Sequence, residues 1–150
     1  MEVKQISQNK WGFLDLLLLG DEQEDMIARY LDCGDLYALY DDGLKAVCVV
    51  TREGNGVCEM KNLAVQPQFQ KQGYGKKMIS FVCSTYQDTC HTLLVGTGDS
   101  PATLPFYLKC GFKESHRIPH FFTDHYDHLI FEGGKQLTDM IYLKRTLKEK

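Results

Sequence analysis

Residues 57–77, VCEMKNLAVQPQFQKQGYGKK, run from a strand-like stretch through a glycine-containing turn into the start of a helix-like pattern. Glycine tolerates positive φ and lets the backbone approach a ligand closely, so the turn at 70–77 is suited to holding one. The apolar residues that follow recur at helical spacing: Met78, Ile79, Val82, Cys83 and Tyr86. The turn therefore leads into a helix N-terminus, where free N–H groups and the helix dipole favour an anion.

The stretch before this turn predicts an antiparallel meander. Strand-like runs within residues 36–65 are separated by turn signals at 42–43 and 54–56. Further upstream, residues 3–7 can begin a sheet, and two helical patterns follow, the second of which opens at Asp21. The first half of the chain thus supplies helices and antiparallel strands.

The stretch after the turn predicts a parallel connection. The helix is followed by a strand at 91–96, then by a short helix within 100–112 and a final strand at 139–147. We therefore expect an α/β (mixed α+β) fold, with a mixed, mostly antiparallel sheet, one parallel βαβ crossover and helices on both faces. Ligands gather where such strands diverge at their carboxyl ends, here between residues 62–65 and 93–97.

Composition and charge narrow the function classes. The 150 residues are 43% hydrophobic and 25% charged, which fits a single soluble domain over 1–150. A formal net charge of −3 argues against a nucleic-acid partner. The N-terminus lacks an apolar signal segment and the most apolar run, 13–20, is too short to cross a bilayer, so we expect a cytoplasmic protein with no membrane partner. Six cysteines without a Cys-x-x-Cys pair predict buried reduced thiols.

The glycine turn carries a family resemblance. Gln70 with the two following glycines matches Gln/Arg-x-x-Gly-x-Gly/Ala, and the chain resembles the GNAT superfamily of acyl-CoA-dependent N-acetyltransferases. The resemblance implies that acetyl-CoA is the cosubstrate. It implies pyrophosphate contacts from the backbone of the turn, at Gln70, Lys71, Gln72, Gly73, Tyr74, Gly75 and Lys76. It also implies that the pantetheine arm pairs with the preceding strand at Leu63, Ala64 and Val65.

Two side chains are catalytic candidates through the same resemblance. Glu59 stands where family members that use a general base have a carboxylate, and the alternative is a solvated strand carboxylate. A base is needed because an amine with a pKa near ~10.4 is almost fully protonated at neutral pH. FYLKCGF at 106–112 is similar to the family's Phe-Tyr-x-x-x-Gly-Phe segment, which makes Tyr107 the candidate acid for the departing thiolate. The alternative is a core tyrosine whose hydroxyl is bonded internally.

Two positions depart from the family pattern. Asp99 stands where many relatives have an asparagine that contacts pantetheine, and an ionised aspartate cannot donate a hydrogen bond. Asp99 is kept as a candidate contact, with helix capping beside Ser100 as the alternative. Pro105 would remove a helical hydrogen bond if the short helix began near Ser100, but it is tolerable if Thr103 caps a later start.

Residues 116–134, HRIPHFFTDHYDHLIFEGG, are expected to form a lid or pocket wall. The four histidines have spacings that could join a metal on a helix, but Pro119 argues against a regular helix, so no metal is expected. Asp124, Asp127 and Glu132, with the aromatic residues, could accept a cationic amine. A surface loop with buried anchors is the alternative.

The resemblance implies transfer of an acetyl group to a primary amine by direct attack through a tetrahedral intermediate. We expect the amine of a small molecule, and a protein amine is the alternative. A backbone N–H between Leu63 and Val65 would hold the oxyanion. No cysteine has an evident histidine partner in the sequence, which favours direct transfer. A homodimer is possible. The alternatives are a non-catalytic acyl-CoA-binding regulatory module and an S-adenosylmethionine-dependent methyltransferase, which LLVGTGDS at 93–100 resembles, although only about 50 residues remain after it.

Overall fold

The structure is a computed structural model that describes residues 1–147. Its central element is a seven-stranded sheet. In chain order its strands are β1 (Glu2–Ile6), β2 (Asp35–Tyr40), β3 (Leu44–Gly54), β4 (Val57–Val65), β5 (Thr92–Gly98), β6 (Lys113–Ile118) and β9 (Met140–Thr146). Their spatial order is β1-β2-β3-β4-β5-β9-β6. β4 and β5 pair in parallel and the other neighbours are antiparallel, as the sequence predicts. A separate hairpin joins β7 (Phe131–Glu132) to β8 (Lys135–Gln136).

Helices cover both faces of the sheet. They are α1 (Leu14–Gly20), α2 (Glu24–Ile27), α3 (Tyr74–Tyr86), α4 (Leu104–Lys109) and α5 (Phe121–His125), with short 3-10 turns at Lys10–Phe13 and Pro67–Phe69. One core cluster joins α1 and α2 to one face, and another joins α3 and α4 to the opposite face. Within residues 1–147, no helix combines the length and apolar character that crossing a bilayer requires.

A bulge in β4 changes which side chains face each core. Val49 pairs with Asn62 and Val50 with Met60, so Lys61 is an extra residue in β4. Before the bulge, Cys58 and Met60 pack on the α3 side, and after it the same side receives Leu63 and Val65. Because side chains alternate along a strand, Glu59 faces the opposite side, toward α1 and α2.

β4 and β5 separate toward their carboxyl ends. Their parallel pairing runs from Val57 with Thr92 to Met60 with Val95, and beyond it neither strand pairs with the other among the described residues. Beyond the bulge, residues 62–65 of β4 stay paired with β3 on the other side. The gap lies where the sequence predicts it, and the α3 N-terminus lies beside it because a short connection joins β4 to α3.

Several elements differ from the sequence-based prediction, among them α5 and the β7–β8 hairpin, which were not predicted. β6 was not predicted, because its residues KESHRI are exposed except for a half-buried Ile118 and carry no apolar alternation. The second helix begins at Glu24, not at Asp21, which is extended with φ −148° and ψ 108°. The prediction at Asp21 was wrong because the acid does not cap a helix there and instead accepts hydrogen bonds from Tyr30 and Tyr126.

Candidate active site

The glycine turn presents a row of free N–H groups. Lys71 and Gly73 adopt positive φ, 64° and 90°, and Gly73 is the residue that precedes α3. The first N–H that donates to a backbone carbonyl after Gln70 is that of Lys77, which bonds to the Gly73 carbonyl at 3.0 Å. Within the described chain, the N–H groups of residues 71–76 have no backbone acceptor. They are therefore available to an anion, as expected of a helix N-terminus.

The space next to Gly73 is open to a ligand, whereas the space next to Gly75 is filled by protein. A Cβ added to Gly73 would meet no atom within 4 Å, whereas one on Gly75 would lie 3.1 Å from the Phe106 ring because Gly75 packs α3 against α4. Tyr74 offers only its N–H, since its ring is buried and its hydroxyl donates to Asp41 at 2.8 Å. Gln70 closes the turn by donating to the Val65 carbonyl at 3.2 Å.

Positive charge lies next to the turn. Lys76 lines a surface cavity of about 280 Å³ with Lys109 and Arg145. Arg145 donates to the Cys110 carbonyl at 2.7 Å, which fixes its guanidinium at the cavity rim. The cations add an electrostatic attraction for a phosphorylated ligand to the hydrogen bonds of the turn.

The carboxyl-terminal part of β4 offers a free backbone edge. Leu63, Ala64 and Val65 pair with β3 on one side, and their other side faces the gap toward β5. Alternate N–H and C=O groups of an unpaired strand edge can bond an extended ligand as an added strand would. This is the arrangement that the sequence analysis expects for pantetheine.

Glu59 is enclosed, and so it is not the solvated carboxylate that the sequence left open. Its side chain is 8% exposed, lies 3.1 Å from the Lys61 ammonium and accepts a hydrogen bond from the Tyr142 hydroxyl at 3.3 Å. Burial raises the pKa of Glu59 above its ordinary value, while Lys61 and Tyr142 oppose that shift. His116 stacks on the Tyr142 ring with 4.7 Å between centroids. A carboxylate with a raised pKa is a stronger base than an exposed one.

Tyr107 is buried without an internal partner for its hydroxyl. Its ring packs edge-on against Phe106 and Phe112, and no hydrogen bond engages its hydroxyl anywhere in residues 1–147. Burial, with the neighbouring Glu132 carboxylate, raises the pKa of Tyr107 above its ordinary value. The phenol therefore keeps its proton at neutral pH and has it free to donate.

The segment around the start of α4 contains the two residues that depart from the family pattern, Asp99 and Pro105. Asp99 pairs with Lys135 at 3.1 Å, while Ser100 Oγ accepts from the Ala102 N–H at 3.0 Å and so closes the turn that precedes α4; the N-cap position of α4 is Thr103, and neither Asp99 nor Ser100 caps the helix. α4 begins after Thr103, which places Pro105 in its first turn, where no helical hydrogen bond is lost. Tyr107 is thereby held by an undistorted helix.

Residues 119–139 form a strap with its own small core. Phe122, Ile130 and Leu137 are buried together, so the segment has the buried anchors that the sequence analysis offered as one alternative. Within residues 1–147, no hydrogen bond joins the three acids proposed to bind a cation, and no residue forms an ion pair with two of them. Asp127 is exposed and bonds His128 at 2.7 Å, whereas Glu132 is half-buried beside Thr103.

Cysteine and histidine side chains form no metal-binding group in the described chain. No group of three or more His, Cys, Asp or Glu residues in 1–147 is arranged to hold a metal ion. All six cysteines are free thiols, and Cys33 is exposed, contrary to the expectation that the thiols are buried. Burial raises the pKa of Cys58 to about 12.

Sequence reasoning missed three residues around Glu59, namely Lys61, His116 and Tyr142. One signal was present in the sequence: Ile141 and Leu143 are apolar and alternate with Tyr142, which predicts that the tyrosine faces away from the α3 side. The stacking of His116 on Tyr142 depends on β6, which the sequence pattern did not reveal.

Comparisons with known proteins agree with this geometry. A family model described as an acetyltransferase (GNAT) domain matches residues 32–114. YvbK of Bacillus subtilis (strain 168), called an uncharacterized N-acetyltransferase, is 36% identical over 132 residues, covering 86% of this chain and 85% of that protein. No substrate follows from that name.

Two solved structures resemble the chain over almost its whole length. A GNAT family acetyltransferase from Elizabethkingia anophelis with acetyl-CoA bound has 32% identity and a TM-score of 0.90, covering 97% of each chain. A Bacillus subtilis acetyltransferase in complex with CoA has 32% identity and a TM-score of 0.88, again covering 97% of each chain. Because the family model spans more than half of the sequence and these relatives exceed 30% identity over most of it, the chain belongs to the GNAT acetyltransferases.

Proposed function

We propose that this protein transfers an acetyl group from acetyl-CoA to a primary amine of a small molecule. The observation that carries the proposal is the position of the gap between β4 and β5. The free N–H groups of residues 71–76 lie at this end of the sheet on the α3 side, and the enclosed carboxylate of Glu59 faces the α1–α2 side. The two substrates can thus approach from opposite faces and meet in the gap.

Acetyl-CoA fits the features of the α3 side. The N–H groups of residues 71–76 bond the pyrophosphate, and Lys76 adds a cation beside it. The pantetheine arm pairs with the edge of β4 at Leu63, Ala64 and Val65, which brings the thioester into the gap. A backbone N–H of that edge then donates to the oxyanion as the tetrahedral intermediate forms.

Glu59 makes the amine nucleophilic. The ammonium form of a primary amine has no free electron pair, so it must lose a proton before attack. Glu59 accepts that proton, directly or through a water, and Lys61 and Tyr142 hold its carboxylate in place. Tyr107 donates its proton to the CoA thiolate as the carbon–sulfur bond breaks, and the second proton that the attacking nitrogen must lose restores the Tyr107 phenol, directly or through a water.

Direct transfer is favoured over an acyl-cysteine intermediate. Burial raises the pKa of Cys48, Cys58, Cys83 and Cys110, so these thiols are poor nucleophiles at neutral pH. In the described part of the chain, no cysteine hydrogen-bonds to a histidine that could activate it. The acetyl group therefore passes to the amine in one displacement.

A panel of amines tests the proposal. Spermidine, glucosamine, kanamycin and lysine amide would each be incubated with enzyme and acetyl-CoA while CoA thiol release is recorded. We expect at least one amine to raise release far above hydrolysis. If acetyl-CoA binds but no amine in this panel or a wider one accelerates release, the protein is an acyl-CoA-binding module and the proposal is wrong.

Tyr107→Phe should lower kcat by at least about tenfold without lowering stability, because the hydroxyl that is removed makes no hydrogen bond in the described protein. Tyr86→Phe is the matched comparison: its buried hydroxyl bonds both Tyr37 and Asp35, so its loss should lower the free energy of unfolding by about 1–3 kcal/mol. Steady-state kinetics and denaturant unfolding separate the two effects. A Tyr107→Phe enzyme with normal kcat removes Tyr107 from the mechanism.

The pH dependence of kcat should report Glu59. A raised pKa means that the carboxyl keeps its proton to a higher pH than an ordinary glutamic acid, so activity should fall as pH drops through that raised value. Lys61→Met removes the cation that opposes the raised pKa of Glu59. The acid limb of the profile, the pH range in which kcat falls as pH drops, should therefore move to still higher pH. Lys4→Met, which disrupts the Lys4–Glu2 pair at the far edge of the sheet, should leave the profile unchanged. If the acid limb of the Lys61→Met profile lies at the same pH as that of the wild type, the result counts against Glu59 as the base.

A further inference from the structure

The strap formed by residues 119–139 starts and ends at the open end of the gap. β6 ends at Ile118, which pairs with Met140, the first residue of β9, and Met140 also pairs with Gly98 at the end of β5. The carboxyl ends of β4 and β5 separate along this same end of the sheet. The strap is therefore connected to the sheet beside the place where the two substrates are proposed to meet.

From there the strap reaches the loop between α1 and α2. The Tyr126 hydroxyl donates to Asp21 Oδ1 at 2.6 Å, the Asp127 N–H donates to Gln23 Oε1 at 2.9 Å, and the His128 ring lies 3.6 Å from the Glu22 carboxylate. Three successive strap residues thus contact the same short loop. These three contacts join two segments that are about 100 positions apart in the sequence, and we call them the docking of the strap on the loop.

The α1–α2 loop in turn is fixed over β4. Asn62 donates to the Leu17 carbonyl at 2.9 Å, which ties the end of α1 to the strand three residues beyond Glu59. In the order of the sheet, β5 and β9 lie between β4 and β6. To reach the loop over β4 from the end of β6, the strap must cross β9 and β5, and so it spans the gap on the Glu59 side.

Asp21 is the central residue of this docking. Its two carboxylate oxygens accept from Tyr126 and, at 3.0 Å, from Tyr30, and the Tyr30 hydroxyl accepts from Asn62 at 3.1 Å. Tyr30 and Asn62 are buried. A continuous hydrogen-bonded chain therefore runs from the strap through Asp21 to β4, where Asn62 donates through its amide nitrogen to Tyr30 and Leu17 and its Oδ1 has no partner in the described residues.

We propose that Asp21 and Tyr126 are positioning residues of the amine site: their hydrogen bond holds the strap as the wall facing Glu59 and thereby sets the place of the acceptor. The inference rests on the proposed function. Loss of the bond frees the strap and the loop together, which lowers the fraction of protein with a formed acceptor wall. The apparent affinity for the amine falls by that fraction, while the N–H groups of residues 71–76, which lie on the α3 side of the sheet, keep their places.

Tyr126→Phe tests the inference because it removes the hydroxyl and keeps the ring that packs on Phe122. With the amine of the panel that shows the highest kcat/KM, we expect KM for the amine to rise about tenfold and KM for acetyl-CoA to stay unchanged. Tyr40→Phe, on β2, is the control with the same chemical change. Asp21→Asn should raise the amine KM as well. In the double variant Asp21→Asn/Tyr126→Phe, the increase in amine KM over the wild type should be much smaller than the product of the two single-variant increases, because both changes break the same hydrogen bond.

Hydrogen exchange supplies a readout that needs no catalysis. Deuterium uptake should increase in residues 121–130 and also in residues 20–30 of Tyr126→Phe, and in neither segment of Tyr40→Phe. Unchanged uptake in both segments overturns the inference, whatever the panel shows. Raised uptake with an unchanged amine KM also overturns it, because the docking would then be structural only. If wild-type protein acetylates no amine, the proposed function fails by its own test and the positioning role fails with it.

Discussion

Gly73→Glu should weaken acetyl-CoA binding by at least about 100-fold. Gly73 stands immediately before α3 with φ 90°, and the space where its side chain would project is open to a ligand. A glutamate there fills that space and sets a negative charge against the pyrophosphate. It also strains the turn, because residues with a Cβ rarely adopt this φ, and so it disturbs the aligned N–H groups of residues 71–76. Calorimetric titration with acetyl-CoA measures the loss directly.

Gly54→Glu is a closely matched control for this experiment. Gly54 has φ 88°, a Cβ on it would also meet no atom within 4 Å, and it is the last residue of β3, next to the turn into β4. Both variants therefore add the same charge and a similar backbone strain, but only Gly73 belongs to the turn before α3. Gly54→Glu should bind acetyl-CoA like the wild type. Equal losses in both variants would attribute the effect to strain, and no loss in Gly73→Glu would place the CoA site elsewhere.

Glu59→Gln should lower kcat by about 10²- to 10⁴-fold while leaving the Kd for acetyl-CoA near the wild-type value. Glutamine has nearly the same shape and can still accept from Tyr142, but it cannot take a proton from the ammonium of the acceptor. The carboxylate faces the α1–α2 side of β4, whereas the CoA-binding turn precedes α3 on the other side. Removing the charge should thus affect transfer and spare binding. Rates with saturating amine and calorimetry with acetyl-CoA give the two values.

Glu53→Gln is the control for the charge itself. Glu53 is an exposed carboxylate on β3 that accepts from Thr51, the residue paired with Glu59, and its charge contributes to raising the pKa of Glu59. Neutralising it changes the local field without removing the base, so kcat should change little and the acid limb should move slightly to lower pH. If Glu59→Gln keeps wild-type kcat at every pH, the carboxylate is structural.

The parts of the site that the sequence predicted depend on local chemistry. The turn at 70–77 needs glycine for a positive φ and ends in a helix whose first N–H groups have no partner, whatever the rest of the fold does. The parallel pairing of β4 with β5 follows from a strand-helix-strand order. Glu59 and Tyr107 were found through a family resemblance; the structure encloses both side chains, and burial raises the pKa of each, which strengthens a base and weakens an acid.

The parts that the sequence did not predict depend on contacts between distant segments. β6 carries almost no buried side chain, because it is an edge strand that pairs with β9 alone, so its residues show no apolar pattern. Asp21 is a residue type that favours the start of a helix. Its carboxylate instead accepts a hydrogen bond from Tyr126, which lies 105 residues away in the sequence. Nothing near Asp21 in the sequence signals that partner. Tertiary hydrogen bonds of this kind override local propensity.

A single-turnover reaction followed by mass spectrometry tests the central claim most directly. Enzyme in slight excess over acetyl-CoA would be mixed with the best amine of the panel, and the masses of the amine product and of the intact protein would be recorded through the reaction. The account predicts one acetyl group on the amine for each CoA released, unmodified protein at every time point, and a greatly slowed reaction in Glu59→Gln. Acetylated protein that forms and decays at the rate of turnover, or CoA released without acetylated amine, would contradict it.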